Sequence, residues 1–111
     1  MVIGVNGIQL YYTKTGQGRP LIMVHGNGED HTIFDEAVGV LKEHFTCYCI
    51  DSRGHGQSSP CKELHYKDMA EDMIAFLTEL DLIDAAFYGF SDGGIVALLA
   101  AMECSRITNL V

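Results

Sequence analysis

Residues 85–102, AAFYGFSDGGIVALLAAM, contain the pattern G-x-S-x-G at positions 89–93. The preceding run, 85–88, is short and apolar, as in a strand buried on both faces, and 95–102 are apolar on nearly every side of a helix, which predicts a buried helix. A serine on a tight strand-to-helix turn needs small residues two positions before and after it, because the backbone passes very close there. Gly89 and Gly93 occupy those positions.

This placement predicts that Ser91 is a nucleophile. A helix N-terminus stabilises negative charge through unpaired amides and the helix dipole, so the backbone amide of Asp92 is a candidate oxyanion donor. The Asp92 side chain is expected to be only a first-turn carboxylate. The alternative is a helix-capping serine, and a damaged dinucleotide-binding turn is a weaker one, because Ser91 replaces the second glycine of that fingerprint.

Strand and helix signals alternate along the rest of the chain. Asn6-Gly7 between two β-prone runs predicts an antiparallel hairpin. The remaining predicted elements are strands at 21–24, 45–50 and 107–111, a helix over about 30–44 with Asp30 or Thr32 as its N-cap, and a helix over 64–80. Such alternation predicts a single α/β domain over residues 1–111: an antiparallel hairpin, then a mostly parallel sheet with helices on both faces.

The helix over 64–80 has the clearest periodicity. Its apolar positions recur every three or four residues at Tyr66, Met69, Ala70, Met73, Leu77 and Leu80, and the carboxylates Glu71, Asp72 and Glu79 are expected on a solvated face. Asp51 and Arg53 are expected to anchor the turn in which they lie. Cys47 and Cys49 share one face of a strand, where core packing is favoured over a metal pair because no further ligands lie nearby.

Composition excludes several function classes. Seven Lys and Arg against fifteen Asp and Glu give a formal net charge of −8, which disfavours nucleic acid and anionic membranes as partners. No apolar run is long enough to span a bilayer, and the basic flank of a secretory signal is lacking, so we expect a cytoplasmic protein with reduced thiols. Nothing indicates a metal or organic cofactor.

Three motifs together resemble the first part of an α/β-hydrolase. They are His25-Gly26, residues 51–58 (DSRGHGQS) and residues 89–94 (GFSDGG), in the family's order. The run 91–95 is similar to the elbow of valacyclovir-hydrolase-like esterases. The resemblance implies a serine hydrolase acting on a small ester, thioester or amide, with the amide of Asn27 as the second oxyanion donor. Carbon–carbon bond hydrolysis and cofactor-free peroxidase chemistry remain open, whereas dehalogenation is disfavoured because it generally needs a carboxylate nucleophile.

The chain also departs from the family's pattern. Family members place the triad acid and then the histidine after the serine, whereas all five histidines here precede Ser91. The resemblance assigns His55 to a structural turn and not to the base. We therefore expect the 111-residue chain to be nearly inactive alone. The alternative is a non-catalytic half-fold that acts only by self-association, and an exposed final strand predicts a homo-oligomer or strand-exchanged dimer.

Overall fold

The computed structural model describes all 111 residues as a six-stranded sheet with helices on both sides. The strands are β1 (Val2–Val5), β2 (Ile8–Gly16), β3 (Arg19–Val24), β4 (Phe45–Ile50), β5 (Ala85–Gly89) and β6 (Ile107–Leu110); the helices are α1 (Asp35–Leu41), α2 (Tyr66–Glu79) and α3 (Asp92–Glu103), and a 3₁₀ turn spans His31–Phe34. No helix is both long and apolar enough to cross a membrane.

The sheet order is β1-β2-β4-β3-β5-β6. The predicted hairpin is confirmed: β1 pairs antiparallel with β2, and Asn6 and Gly7 both have positive φ, as a tight two-residue turn requires. β2 also runs antiparallel to β4, while β4, β3, β5 and β6 are mutually parallel. The predicted fold class is therefore confirmed, and the carboxyl ends of β3, β4 and β5 meet at one edge.

Alternation along the strands divides the apolar side chains between two faces of the sheet. On one face, called the α2–α3 face, helices α2 and α3 pack against the sheet. They enclose a cluster of 18 buried residues that includes Ile22, Ile50, Phe76 and Phe87. The α1 face is formed by the 3₁₀ turn and α1 on six buried residues, which are Leu21, Met23, Phe34, Cys47, Cys49 and Ala86. All four cysteines are free, and the core placement predicted for Cys47 and Cys49 is confirmed.

Two helices differ from the predictions. The segment predicted as one helix over 30–44 is split into the 3₁₀ turn, capped by Asp30 through the Thr32 amide at 2.9 Å, and the seven-residue α1. The prediction that the helix after Ser91 is buried is wrong. α3 packs on the sheet through Gly93, Val96, Ala97 and Ala100, because small residues permit close approach, and its larger side chains Ile95, Leu98 and Met102 are exposed.

The solvated position predicted for Asp72 is also wrong. Its side chain is fully buried, and Arg53 donates to both carboxylate oxygens at 2.6 and 2.8 Å. The Asn6 amide adds a third hydrogen bond at 3.1 Å. The bond to Asp72 raises the pKa of Arg53 further above its already high usual range. The sequence predicts that Arg53 anchors its own turn, but its side-chain hydrogen bonds go to Asp72, so Arg53 ties the loop after β4 to α2.

Candidate active site

The backbone at Ser91 turns sharply between β5 and α3. Ser91 has φ 58° and ψ −121°, a left-handed region that a residue with a side chain adopts only when the surroundings enforce it. The residue is exposed, and its side chain makes no capping hydrogen bond to α3. The capping alternative is thereby contradicted, and the hydroxyl is left free at the helix N-terminus.

Close backbone packing enforces this conformation. A β-carbon on Gly93 would lie less than 3.0 Å from the carbonyl oxygens of Val24 and His25, and one on Gly89 would collide with the backbone of Gly93 and Gly94. The turn is therefore pressed against the end of β3, and Phe90 donates its amide to the Val24 carbonyl at 3.0 Å. Only glycine fits at positions 89 and 93, as the sequence predicted.

The loop after β3 lies directly beside Ser91. A β-carbon placed on Gly26 would be 3.2 Å from the Ser91 β-carbon. In this loop the Gly26 amide donates to the Glu29 carboxylate at 2.8 Å, and the Gly28 amide donates to the His55 ring at 3.0 Å. The Asn27 amide between them has no acceptor in the protein. An unpaired amide in the loop beside Ser91 is what an oxyanion donor requires.

The Asp92 amide has a similar geometric basis. Asp92 is the first residue of α3, and the first amides of a helix lack intrahelical acceptors. Asn27 and Asp92 also line one cavity of about 150 Å³, together with His55, Leu64, Tyr66 and Met69. The structure thus brings Ser91, Asn27 and Asp92, the three residues predicted for the site, to one edge of the sheet.

Tyr66 is a site residue that the sequence did not reveal. It was predicted on the apolar face of α2, but it is 42% exposed, and its hydroxyl donates to the Asp92 carboxylate at 3.1 Å. That hydrogen bond raises the pKa of Tyr66. The Asp92 side chain thus has a partner on α2 across the small cavity and is more than a first-turn carboxylate.

The turn after β4 is held by Asp51, as predicted. Its carboxylate accepts the Gln57 amide at 2.8 Å and also the His31 amide and ring nitrogen at 2.8 and 2.7 Å. Ligand atoms of Asp30, His31 and Asp51 come within 4.8 Å of one another, a spacing compatible with a metal. Because both Asp51 oxygens already accept hydrogen bonds from the protein, the grouping is explained by the turn itself.

Four of the five histidines are hydrogen bonded to groups other than Ser91. His25 and His55 contact loop backbone, His31 contacts Asp51, and His65 contacts Glu63. Burial lowers the pKa of His25. None of these four rings is arranged as a base for Ser91, and His55 lies in the turn after β4, as the resemblance implies.

Comparison with known proteins gives a consistent picture. Residues 19–111 match the sequence pattern of a family described as the alpha/beta hydrolase fold. The AB hydrolase superfamily protein YisY of Bacillus subtilis is 37% identical over 108 residues, which cover 94% of this chain and 40% of that protein. The human serine hydrolase BPHL is 35% identical over 110 residues, covering 91% of this chain and 37% of that protein.

Solved structures agree with this match. An esterase from Exiguobacterium antarcticum superposes with a TM-score of 0.90 at 28% identity, covering 98% of this chain and 42% of that chain. The chain therefore spans about 40% of the length of the relatives that it matches.

Proposed function

The chain belongs to the α/β-hydrolase fold family, and from this membership we propose that the whole protein hydrolyses a small ester, thioester or amide with Ser91 as nucleophile. The observation that carries the proposal is the strained, exposed and uncapped Ser91 at the start of α3. Such strain persists where function needs a particular geometry. The esterase and serine hydrolase among the similar proteins support the same class of reaction.

In the proposed reaction the Ser91 oxygen attacks the substrate carbonyl carbon and gives its proton to a base. The carbonyl oxygen becomes negative and accepts hydrogen bonds from the Asn27 and Asp92 amides. Collapse of this intermediate releases the protonated leaving group and forms acyl-Ser91, which water then cleaves. None of the five histidines is placed to act as this base, because four are hydrogen bonded to other groups and His44 precedes β4, at the edge of the sheet opposite Ser91. We therefore propose that the base comes from a part of the whole protein outside these 111 residues.

A fluorophosphonate probe tests the nucleophile. The probe is applied to the 111-residue chain and to the longer product, which is the longest naturally expressed polypeptide that contains this chain. We expect labelling of the longer product, loss of labelling in Ser91→Ala, and no change in the control Ser105→Ala, which alters another exposed serine. The chain alone should label very weakly because an unassisted serine is a poor nucleophile. Labelling that survives Ser91→Ala, or its absence from the longer product, would contradict the proposal.

We also propose that the isolated 111-residue chain self-associates. β6 is an edge strand with residues 108–110 exposed, and its Asn109 and the following Val111 line an apolar groove of about 690 Å³ on the α1 face. An open strand edge next to apolar surface favours pairing with a second copy. Cleavage of a substrate by Ser91 does not require this self-association.

Light scattering during size-exclusion chromatography tests self-association. We expect a dimer or larger species at micromolar concentration, and Leu110→Lys should shift it toward monomer, because a charge on the edge strand opposes pairing. Val40→Lys on the exposed side of α1 is the matched control and should not. A compact monomer of the unmodified chain would overturn the proposal.

A further inference from the structure

Two histidines, one from each loop, connect the loop that follows β3 with the loop that follows β4. His25, at the end of β3, accepts the amide of Ser52 at its Nε2 atom, 3.0 Å away. His55, in the loop after β4, accepts the amide of Gly28 at its Nε2 atom, also at 3.0 Å. Each loop thus supplies one imidazole and receives one.

The remaining ring nitrogens fix the tautomers. His25 Nδ1 lies 2.7 Å from the Gly26 carbonyl oxygen, and His55 Nδ1 lies 3.0 Å from the Arg53 carbonyl oxygen. A carbonyl only accepts, so both Nδ1 atoms carry hydrogen and both Nε2 atoms are free to accept. The two rings lie 5.0 Å apart and both are buried. Burial and the neighbouring His55 both lower the pKa of His25, in keeping with a neutral ring.

The pair of bonds acts next to the unpaired Asn27 amide. On one side of Asn27 the Gly26 amide is held by Glu29, and on the other the Gly28 amide is held by His55. Gly28 has φ +80°, a conformation that glycine adopts without steric cost, so its own backbone preferences do not fix the direction of its amide. The Glu29 contact stays inside the loop, whereas the His55 contact ties it to the β4 loop.

We propose that His25 and His55 form a reciprocal clamp, in which His55 is a positioning residue that orients the Asn27 amide toward Ser91. The inference rests on the proposed function only for what the Asn27 amide binds. His55 is itself anchored, because Arg53, whose carbonyl accepts from its ring, is paired with the buried Asp72. The clamp therefore connects α2, the loop after β4 and the loop after β3 that contains Asn27.

Nuclear magnetic resonance of the ¹⁵N-labelled 111-residue chain tests the clamp without requiring activity. At about pH 8, where histidine is ordinarily neutral, couplings through the hydrogen bonds should connect the Gly28 amide nitrogen with His55 Nε2 and the Ser52 amide nitrogen with His25 Nε2. A folded spectrum that lacks the Gly28–His55 coupling overturns the proposal.

Variants separate positioning from general stability. His55→Leu should raise hydrogen exchange at Gly28 about five- to tenfold, since one hydrogen bond is lost, and should shift the Asn27 amide, while the amides of α2 stay unchanged. His55→Gln keeps an acceptor near Nε2 and should restore both signals. The exposed His65→Leu is the control. If His55→Gln behaves like His55→Leu, or if neither affects Asn27, the clamp does not position that amide.

The rate of fluorophosphonate labelling tests whether the clamp affects the reactivity of Ser91. It is measured on the 111-residue chain or on the longer polypeptide that contains it, whichever is labelled at Ser91. His55→Leu should slow labelling by a similar factor, and His55→Gln should not. An intact clamp without any labelling would refute the serine hydrolase proposal alone, whereas labelling with normal rates in His55→Leu would refute the clamp's role alone.

Discussion

Both faces of the sheet carry apolar side chains, but helices cover one face more completely than the other. β3, β4 and β5 send apolar side chains to both sides, yet the α2–α3 face encloses 18 buried residues and the α1 face only six. The α1 face also keeps the open groove of about 690 Å³. Because stability follows the apolar area removed from water, most of the folding free energy should reside on the α2–α3 face.

The largest expected effect is on two buried phenylalanines, one on each face. Phe76 of α2 is fully buried and contacts the rings of Tyr12 and Tyr48, with centroids 5.0 and 5.8 Å away. Phe76→Ala should lower the free energy of unfolding by about 3–5 kcal/mol, the usual range for a phenylalanine lost from a closed core. Urea denaturation followed by circular dichroism measures it.

Phe34→Ala is the matched variant on the α1 face. Phe34 is only 3% exposed, but it also lines the open groove. Truncation there enlarges a space already open to water, so we expect a loss at least about 1 kcal/mol smaller than for Phe76→Ala. Equal losses at the two positions would remove the energetic difference between the faces.

The second prediction concerns the buried ion pair between Arg53 and Asp72, which ties α2 to the loop after β4. Arg53→Met leaves the buried Asp72 carboxylate without its cation, so we expect a loss of about 3 kcal/mol, as for other broken buried ion pairs. The double variant Arg53→Met with Asp72→Leu removes both charges and should be more stable than Arg53→Met. Urea midpoints for the two variants and the unmodified chain give the comparison. A double variant no better than the single would show that Asp72 is not stranded by the loss of Arg53.

The third prediction compares adjacent glycines where α3 meets the sheet. Gly93→Ala forces a β-carbon into the carbonyl oxygens at the end of β3, so it should destabilise by about 1–3 kcal/mol, the range for overpacking. Gly94→Ala meets its nearest atom, the Gly89 carbonyl oxygen, at an ordinary 3.4 Å. Because alanine favours the helix, Gly94→Ala should be neutral or stabilising by up to about 1 kcal/mol. Thermal unfolding that ranks the two in the opposite order would mean that α3 does not sit this close to β3.

Local signals in the sequence were sufficient for most of the fold. The Asn6-Gly7 turn, the strand at 45–50 and the glycines around Ser91 were all predicted, because turn residues and strand periodicity act over a few neighbouring positions. The same signals brought Ser91, Asn27 and Asp92 together, since carboxyl ends of parallel strands meet at one edge.

Long-range contacts were beyond the sequence. The Asp72 carboxylate was expected in water because helical periodicity identifies the side opposite the core, and it cannot show that the β4 loop covers that side. The reciprocal bonds of His25 and His55 each join positions 27 residues apart, and their existence depends on β3 lying beside β4. One side of α3 is exposed because no other element covers it. The periodicity of a helix does not show how much of its surface its neighbours cover.

The smallest expected effect is a difference between two free energies: that of opening the α1 face locally and that of unfolding the whole chain. Thiol reagents that react with a buried cysteine on each face measure both. Burial raises the pKa of Cys49 to about 12, so at neutral pH this thiol reacts only after the α1 face opens. We expect Cys49 to react through an opening at least about 1 kcal/mol easier than global unfolding, because few contacts hold α1 in place. The control is Ala97→Cys, a buried position on the α2–α3 face, with the other cysteines replaced by serine in each case. This thiol should react only at the rate set by global unfolding. Equal opening energies for the two thiols would show that the two faces unfold as one unit despite their unequal cover.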